Sequence, residues 1–299
     1  MSSDPCIDAA YNVRLTVEET EFRRTVTAYR TESERVTGPL AGHRAIAYDE
    51  HSNERLDVWG VSDEGPRPVF LAVHGGYWRM LSRHDTAFMA GALNDAGIAT
   101  VPIDYTLAPT ASLEEIVRQV RAAVAWIHRH GADFGLDPDR IVVGGSSAGG
   151  HLTAATMVGG WQEPLGLPPD VVKGALPISG LFDLRPLVTS FANAWLGLDA
   201  QRATALSPLL ADFPATTHPR TVIAVAEHDG TGFLEQSSRF HDSYSAHAPA
   251  SLLVVPGRHH YDIFLDLADP DSALFERLVH LVDHTSAAAG AARTVRRRV

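Results

Sequence analysis

The chain has 299 residues, with 25 Lys plus Arg against 36 Asp plus Glu and a formal net charge of −11. Hydrophobic residues make up 45% and charged residues 20%, the profile of a soluble globular protein with a large core, which excludes bulk disorder. So acidic a balance repels phosphate and argues against a nucleic-acid binder. No apolar run of about 18 residues is present to span a membrane. The single cysteine, Cys6, excludes an intramolecular disulfide and a four-cysteine zinc site. The opening residues MSSDPCIDAAYNVR carry no apolar signal-peptide core, so the expectation is a reduced, cytoplasmic protein. A homodimer is compatible with the sequence, which does not fix the oligomeric state.

Residues 11–37 are charged and weakly periodic up to Gly38-Pro39, and read as a helical N-terminal segment. Short apolar, β-branched runs then predict strands at Arg44–Tyr48, Leu56–Trp59, Val69–Val73 and Ala99–Ile103. A helix over 84–95 falls between the last two. Ser112 to His130 is the clearest helix: Leu113, Ile116, Val117, Val120, Val124 and Ile127 form one apolar stripe. Ser112 and Glu115 have capping-box spacing, and Gly131 ends the run. Strands at Ile141–Gly144, Ala175–Ile178, Val222–Ala226 and Leu252–Val255 follow, with helices at 148–158, 233–245 and 272–284. Strands alternating with helices predict an α/β fold with a mostly parallel central sheet of about eight strands, covered on both faces. One domain spans 1–299, and residues 286–299, with Arg293, Arg296, Arg297 and Arg298, read as a flexible basic tail.

Three stretches carry chemistry. Arg140–His151 reads strand, Gly-x-Ser-x-Gly, then a helix opened by small residues. Such a strained turn lifts the serine oxygen above the sheet at a helix N-terminus, which makes Ser147 the candidate nucleophile ahead of Ser146. A serine needs a base, and the base an orienting carboxylate; after an elbow of this kind they follow in the order acid, then histidine. The strand at Val222–Ala226 ends in Glu227-His228-Asp229, and the next ends in His259-His260-Tyr261. Asp229 and His260 are the favoured pair, with Glu227 and His259 as alternatives. A metal site from His228, Asp229, His259 and His260 lacks ligand spacing and leaves the serine elbow unexplained, so no metal is expected. In the third stretch, a strand runs into His74-Gly75-Gly76-Tyr77-Trp78. The amides of Gly75, Gly76 and Ala148 there are candidates for an oxyanion hole.

With the loop His74-Gly75-Gly76, the run from Asp104 to Pro109 and the elbow GSSAGG, the chain resembles α/β-hydrolases of the hormone-sensitive-lipase-like branch. His-Gly-Gly-Tyr-Trp resembles the loop of kynurenine formamidases in particular, as do Tyr11-Asn12 with Arg14, Ser179–Leu184, Asn193, Ser207-Pro208 and Phe233 with Gln236-Ser237. The resemblance implies the α/β-hydrolase fold and hydrolysis of N-formyl-L-kynurenine to L-kynurenine and formate, without metal or cofactor. It carries the triad onto Ser147, Asp229 and His260, and by analogy makes residues 11–37 a candidate cover for the pocket. Gly230-Thr231-Gly232 and Tyr261-Asp262 depart from the family pattern beside the pocket.

Tyr77, Trp78, Phe182, Trp195 and Tyr261, with Phe191, are candidates for an aromatic pocket, and Arg79 or Arg185 for a partner to a substrate carboxylate. The expected partner is thus a small aromatic amide or ester. A carboxylesterase on short acyl esters and an amidase or carbamate hydrolase on another aromatic substrate are the alternatives. A binding protein on the same scaffold predicts a damaged triad or oxyanion loop, and neither is damaged.

Overall fold

A computed structural model describes residues 3–211, 213 and 219–296, with side chains described up to Thr285. The eight strands of the described residues are β1 (Gly42–Ala47), β2 (Arg55–Trp59), β3 (Arg67–Val73), β4 (Ala99–Ile103), β5 (Leu136–Ser146), β6 (Val172–Ile178), β7 (Arg220–His228) and β8 (Ala250–His259). They form one sheet in the order β1-β2-β4-β3-β5-β6-β7-β8. β1 with β2 and β2 with β4 are antiparallel; every other pair is parallel. This is the α/β-hydrolase fold.

The helices are α1 (Pro5–Tyr11), α2 (Glu19–Thr37), α3 (Ala90–Asp95), α4 (Leu113–His130), α5 (Ala148–Met157), α6 (Asn193–Leu196), α7 (Ala200–Ala205), α8 (Thr231–Ser245) and α9 (Ala273–Arg296). The two-residue period of a strand decides which layer each side chain joins. Val69, Leu71 and Val73 of β3 pack with Ile116, Val120 and Val124 of α4 and Leu152 of α5. Phe70 and Ala72 point the other way, into a cluster with Leu93 of α3 and Leu274, Leu278 and Leu281 of α9. The stripe read from Ser112 onward is therefore the buried face of α4, capped by Ser112 Oγ accepting from Glu115 N. Each such buried aliphatic side chain stabilises the fold by about 1.5–3 kcal/mol.

One element differs from the sequence reading. The expected helix 84–95 is a single 3₁₀ turn at Arg83–Asp85 followed by the short α3. Asp85 there is held by Arg30 and Ser82, and Thr86 has an extended φ of −133°, which interrupts the helix. Within residues 11–37, read as a helical segment, a 3₁₀ turn at Val13–Thr16 precedes α2. Before it lies α1, whose start was legible, because Asp4 accepts from Cys6 N and Pro5 occupies the first turn. At the other end α9 runs to Arg296, through part of the expected tail at 286–299. Side chains in that stretch and residues 297–299 lie outside the described residues. No helix among the described residues is long and apolar enough to cross a membrane.

Candidate active site

The parallel strands β3, β5, β7 and β8 all end at one edge of the sheet, the edge where ligands bind in open α/β sheets. β5 ends at Ser146, and Ser147 turns the chain into α5 with φ 60° and ψ −118°. A non-glycine residue holds that left-handed conformation only when its surroundings enforce it. Ser147 N donates to Ile178 O at 2.9 Å, and Ser147 O accepts from His151 N at 3.1 Å, clamping the turn from both sides. A side chain on Gly149 would sit 2.1 Å from Val73 O, so only glycine lets α5 approach β3 this closely.

Asp229 follows β7 and His260 follows β8. Both are buried, and His260 Nδ1 donates to Asp229 Oδ1 at 2.8 Å. That contact places the ring proton on Nδ1 and leaves Nε2 as the basic nitrogen. Asp229 Oδ1 also accepts from Gly230 N at 2.7 Å, while Oδ2 is buried without a hydrogen-bond partner. Phe233 and Tyr261 pack against the imidazole edge-on, at 4.5 and 5.4 Å between centroids, and fix its plane. The alternatives from the sequence sit elsewhere. Glu227 is half exposed and accepts from Gly257 N, and His259 lies against Glu21 and Asp262. Among the described residues no three His, Cys, Asp or Glu side chains gather into a metal-binding cluster.

The loop after β3 lies over the elbow. His74 is buried and stacks on Tyr105 at 4.0 Å, and its Nδ1 donates to Gly75 O. Burial lowers the pKa of this imidazole and keeps it neutral. Tyr105 Oη donates to the carbonyls of His74 and Gly75, so the loop carbonyls are spoken for on one side. Among the described residues, no protein acceptor takes the amides of Gly75, Gly76 or Ala148. Gly76 has φ +89°, and its carbonyl accepts from Arg79 N and Met80 N, which closes the turn.

One cavity of about 410 Å³ joins these parts: Ser147, Gly75, Gly76 and His260 all line it. Tyr77, Trp195 and Tyr261 line it as expected, with Phe191 beside them. Burial pushes the Tyr261 phenol up to about 12, so it is neutral in the pocket. Trp78 and Phe182 do not line it, which corrects the sequence reading. Trp78 is fully buried with its ring edge-on to His151 at 5.2 Å, because Tyr77 and Trp78 both have positive φ and the turn sends consecutive side chains opposite ways. Phe182 is fully buried and stacked on Phe240 of α8 at 4.2 Å, in a cluster with Ile223 and Met157. Arg79 lines the cavity, whereas Arg185 does not and is bound by both carboxylate oxygens of Asp183.

The opposite wall comes from the N-terminal segment, offered from the sequence as a cover for the pocket without its residues being named: Val13, Arg14, Phe22, Val26 and Tyr29 line the cavity there. Phe22, Val26 and Tyr29 stand at helical spacing on α2, a signal that was there to be read. That wall is bolted down by specific bonds. Tyr77 Oη donates to Tyr11 O, Gln236 Nε2 to Tyr11 Oη at 2.8 Å, and Tyr29 Oη to Tyr261 O. Phe191 N donates to Asp8 Oδ1 at 2.7 Å.

A protein-family model, BD-FAE, matches residues 56–166. A kynurenine formamidase of Salmo salar is 29% identical over 264 residues, covering 86% of this chain and 87% of that protein. An esterase of Mycobacterium tuberculosis, LipQ, is 31% identical over 149 residues, 46% of this chain and 35% of that one. A crystal structure from Silicibacter sp. TM1040 superposes with a TM-score of 0.77 at 26% identity, covering 93% of this chain and 98% of that one. The chain is a hydrolase with the α/β-hydrolase fold and serine-hydrolase-type activity, similar to kynurenine formamidases and to carboxylic ester hydrolases.

Proposed function

We propose that this hydrolase cleaves a small aryl amide, N-formyl-L-kynurenine, to L-kynurenine and formate through an acyl-enzyme on Ser147. The observation that carries the reading is the shared cavity, in which the serine, the free loop amides and the Asp229-paired His260 meet an aromatic wall. The similarity to kynurenine formamidases over most of both chains supports it.

In this reading His260 Nε2 takes the Ser147 proton as Oγ attacks the formyl carbon. Asp229 holds the imidazole tautomer and stabilises the imidazolium that forms. Ser147 and His260 are not hydrogen-bonded in this structure, and the substrate completes that contact, as is common for catalytic pairs without ligand. The tetrahedral oxyanion rests on the amides of Gly75, Gly76 and Ala148, which no protein group occupies. His260 then protonates the departing aryl nitrogen. The arylamine leaves readily because its lone pair is delocalised into the ring. Water, activated by His260, releases formate and restores the serine. Tyr77, Phe191 and Trp195 hold the aryl leaving group, and residues 11–37 cover it.

The test is kcat/KM on N-formyl-L-kynurenine beside p-nitrophenyl acetate, with Ser147→Ala as control. The expected result is about 10⁴ M⁻¹s⁻¹ or more on the formamide, lost in the variant. Ester turnover without formamide cleavage would instead support the second reading, a carboxylesterase, for which the similarity to LipQ speaks. Unchanged activity in Ser147→Ala would remove the nucleophile assignment altogether.

A further inference from the structure

The charged side chains lining the cavity are Arg14, Arg79, Asp85 and His260. Arg14 is paired with Glu19, Asp85 with Arg30, and His260 with Asp229. Arg79 is different. Its guanidinium makes no ion pair and no hydrogen bond among the described residues, and it lies over the Trp195 ring at 4.7 Å from the centroid. Trp195 is itself fixed, since its Nε1 donates to Tyr77 O at 3.0 Å.

A guanidinium held over an indole by cation–π attraction keeps its N–H donors. Among the described residues those of Arg79 meet no protein acceptor, so the fork that matches a carboxylate is free. We infer that Arg79 is the receptor for a carboxylate on the leaving-group side of the substrate, and so sets the enzyme's preference for carboxylate-bearing substrates over those that lack the group. The inference rests on the proposed formamide reading for the side on which the anion lies. A formyl group is the smallest acyl group, so all remaining substrate bulk, carboxylate included, extends along the wall formed by Tyr77, Phe191 and Trp195. Arg79 stands on that wall. The chain as a whole carries a charge of −11, so a substrate carboxylate meets an overall negative field. An unpaired cation at the cavity supplies the local attraction that the rest of the surface lacks.

The experiment compares the wild type with Arg79→Gln and Arg79→Lys on two substrate pairs. One pair is N-formyl-L-kynurenine against formanilide; the other is 4-acetoxybenzoate against phenyl acetate, which places the anion on the leaving group of an ester. The readout is the ratio of kcat/KM for the carboxylate-bearing member over the member without a carboxylate. Arg79→Gln is expected to lower each ratio roughly 10- to 100-fold, through KM, and Arg79→Lys to restore part of it. An unchanged ratio overturns the inference, whatever happens to the absolute rates. If neither formamide is cleaved but the ester ratio collapses in Arg79→Gln, the carboxylate receptor stands and the formamide reading falls.

Discussion

Replacing Gly75 by alanine tests the oxyanion assignment without touching a titratable group. The added methyl carbon would lie 2.7 Å from Ser146 O and 3.3 Å from Ser147 Cβ. Both neighbours belong to the elbow, and the nearer is backbone, so neither can swing aside. Restoring an ordinary contact of about 3.4 Å asks for a displacement of roughly 0.7 Å between the loop and the elbow. A donor set about 2.9 Å from the oxyanion would recede to about 3.6 Å, outside hydrogen-bond range. Losing one such donor lowers kcat by about 10²- to 10³-fold, or roughly 3–4 kcal/mol of barrier, with little change in KM. Saturation kinetics on p-nitrophenyl acetate, with a thermal melt to confirm folding, measures it. Gly38→Ala is the control, because its methyl would meet nothing nearer than Glu34 O at 3.5 Å. A folded Gly75→Ala enzyme retaining more than about a third of the wild-type kcat would refute the placement of the oxyanion at this loop.

Asp229→Asn removes the charge that holds the His260 tautomer, and kcat is expected to fall about 10³- to 10⁴-fold with the melting temperature little changed; a loss under tenfold would exclude Asp229 as the orienting acid. His151 is fully buried, and burial lowers its pKa to about 4. The unfolded chain binds that proton from about pH 6.5 downward and the native state does not. Stability is therefore intact above about pH 6.5 and falls towards pH 4 by up to about 3 kcal/mol. Urea midpoints from pH 7 to 4.5 should decline less steeply in His151→Asn, and an identical slope would contradict this account. Phe182→Ala should cost about 3–5 kcal/mol of stability while leaving the formamide-to-ester preference as it was, since Phe182 packs on Phe240 away from the cavity. A changed preference would return Phe182 to the pocket wall.

Local rules carried the sequence reading a long way. Short apolar runs marked all eight strands, most plainly the central ones such as β3 and β4, which are buried on both faces and need continuous apolar segments. The elbow, the His-Gly-Gly loop and the carboxylate and histidine after successive strands were visible because each occupies a strand end, and parallel strands bring their ends to one edge. Chain order admitted Glu227 and His259 equally; it was the resemblance that carried the triad onto Asp229 and His260. What the sequence could not show was direction. Nothing in Tyr77-Trp78 says that two consecutive positive φ angles turn one ring to the cavity and the other into the core. Phe182 and Trp195 are equally aromatic, yet only the packing of α8 against β7 claims the first. The wall contributed by Phe22, Val26 and Tyr29 depends on a long-range closure, with Tyr29 bonded to Tyr261 across the chain. Composition fixes how much apolar surface must be hidden; only the tertiary arrangement decides which rings are left to line a cavity, because burial is settled by every neighbour at once.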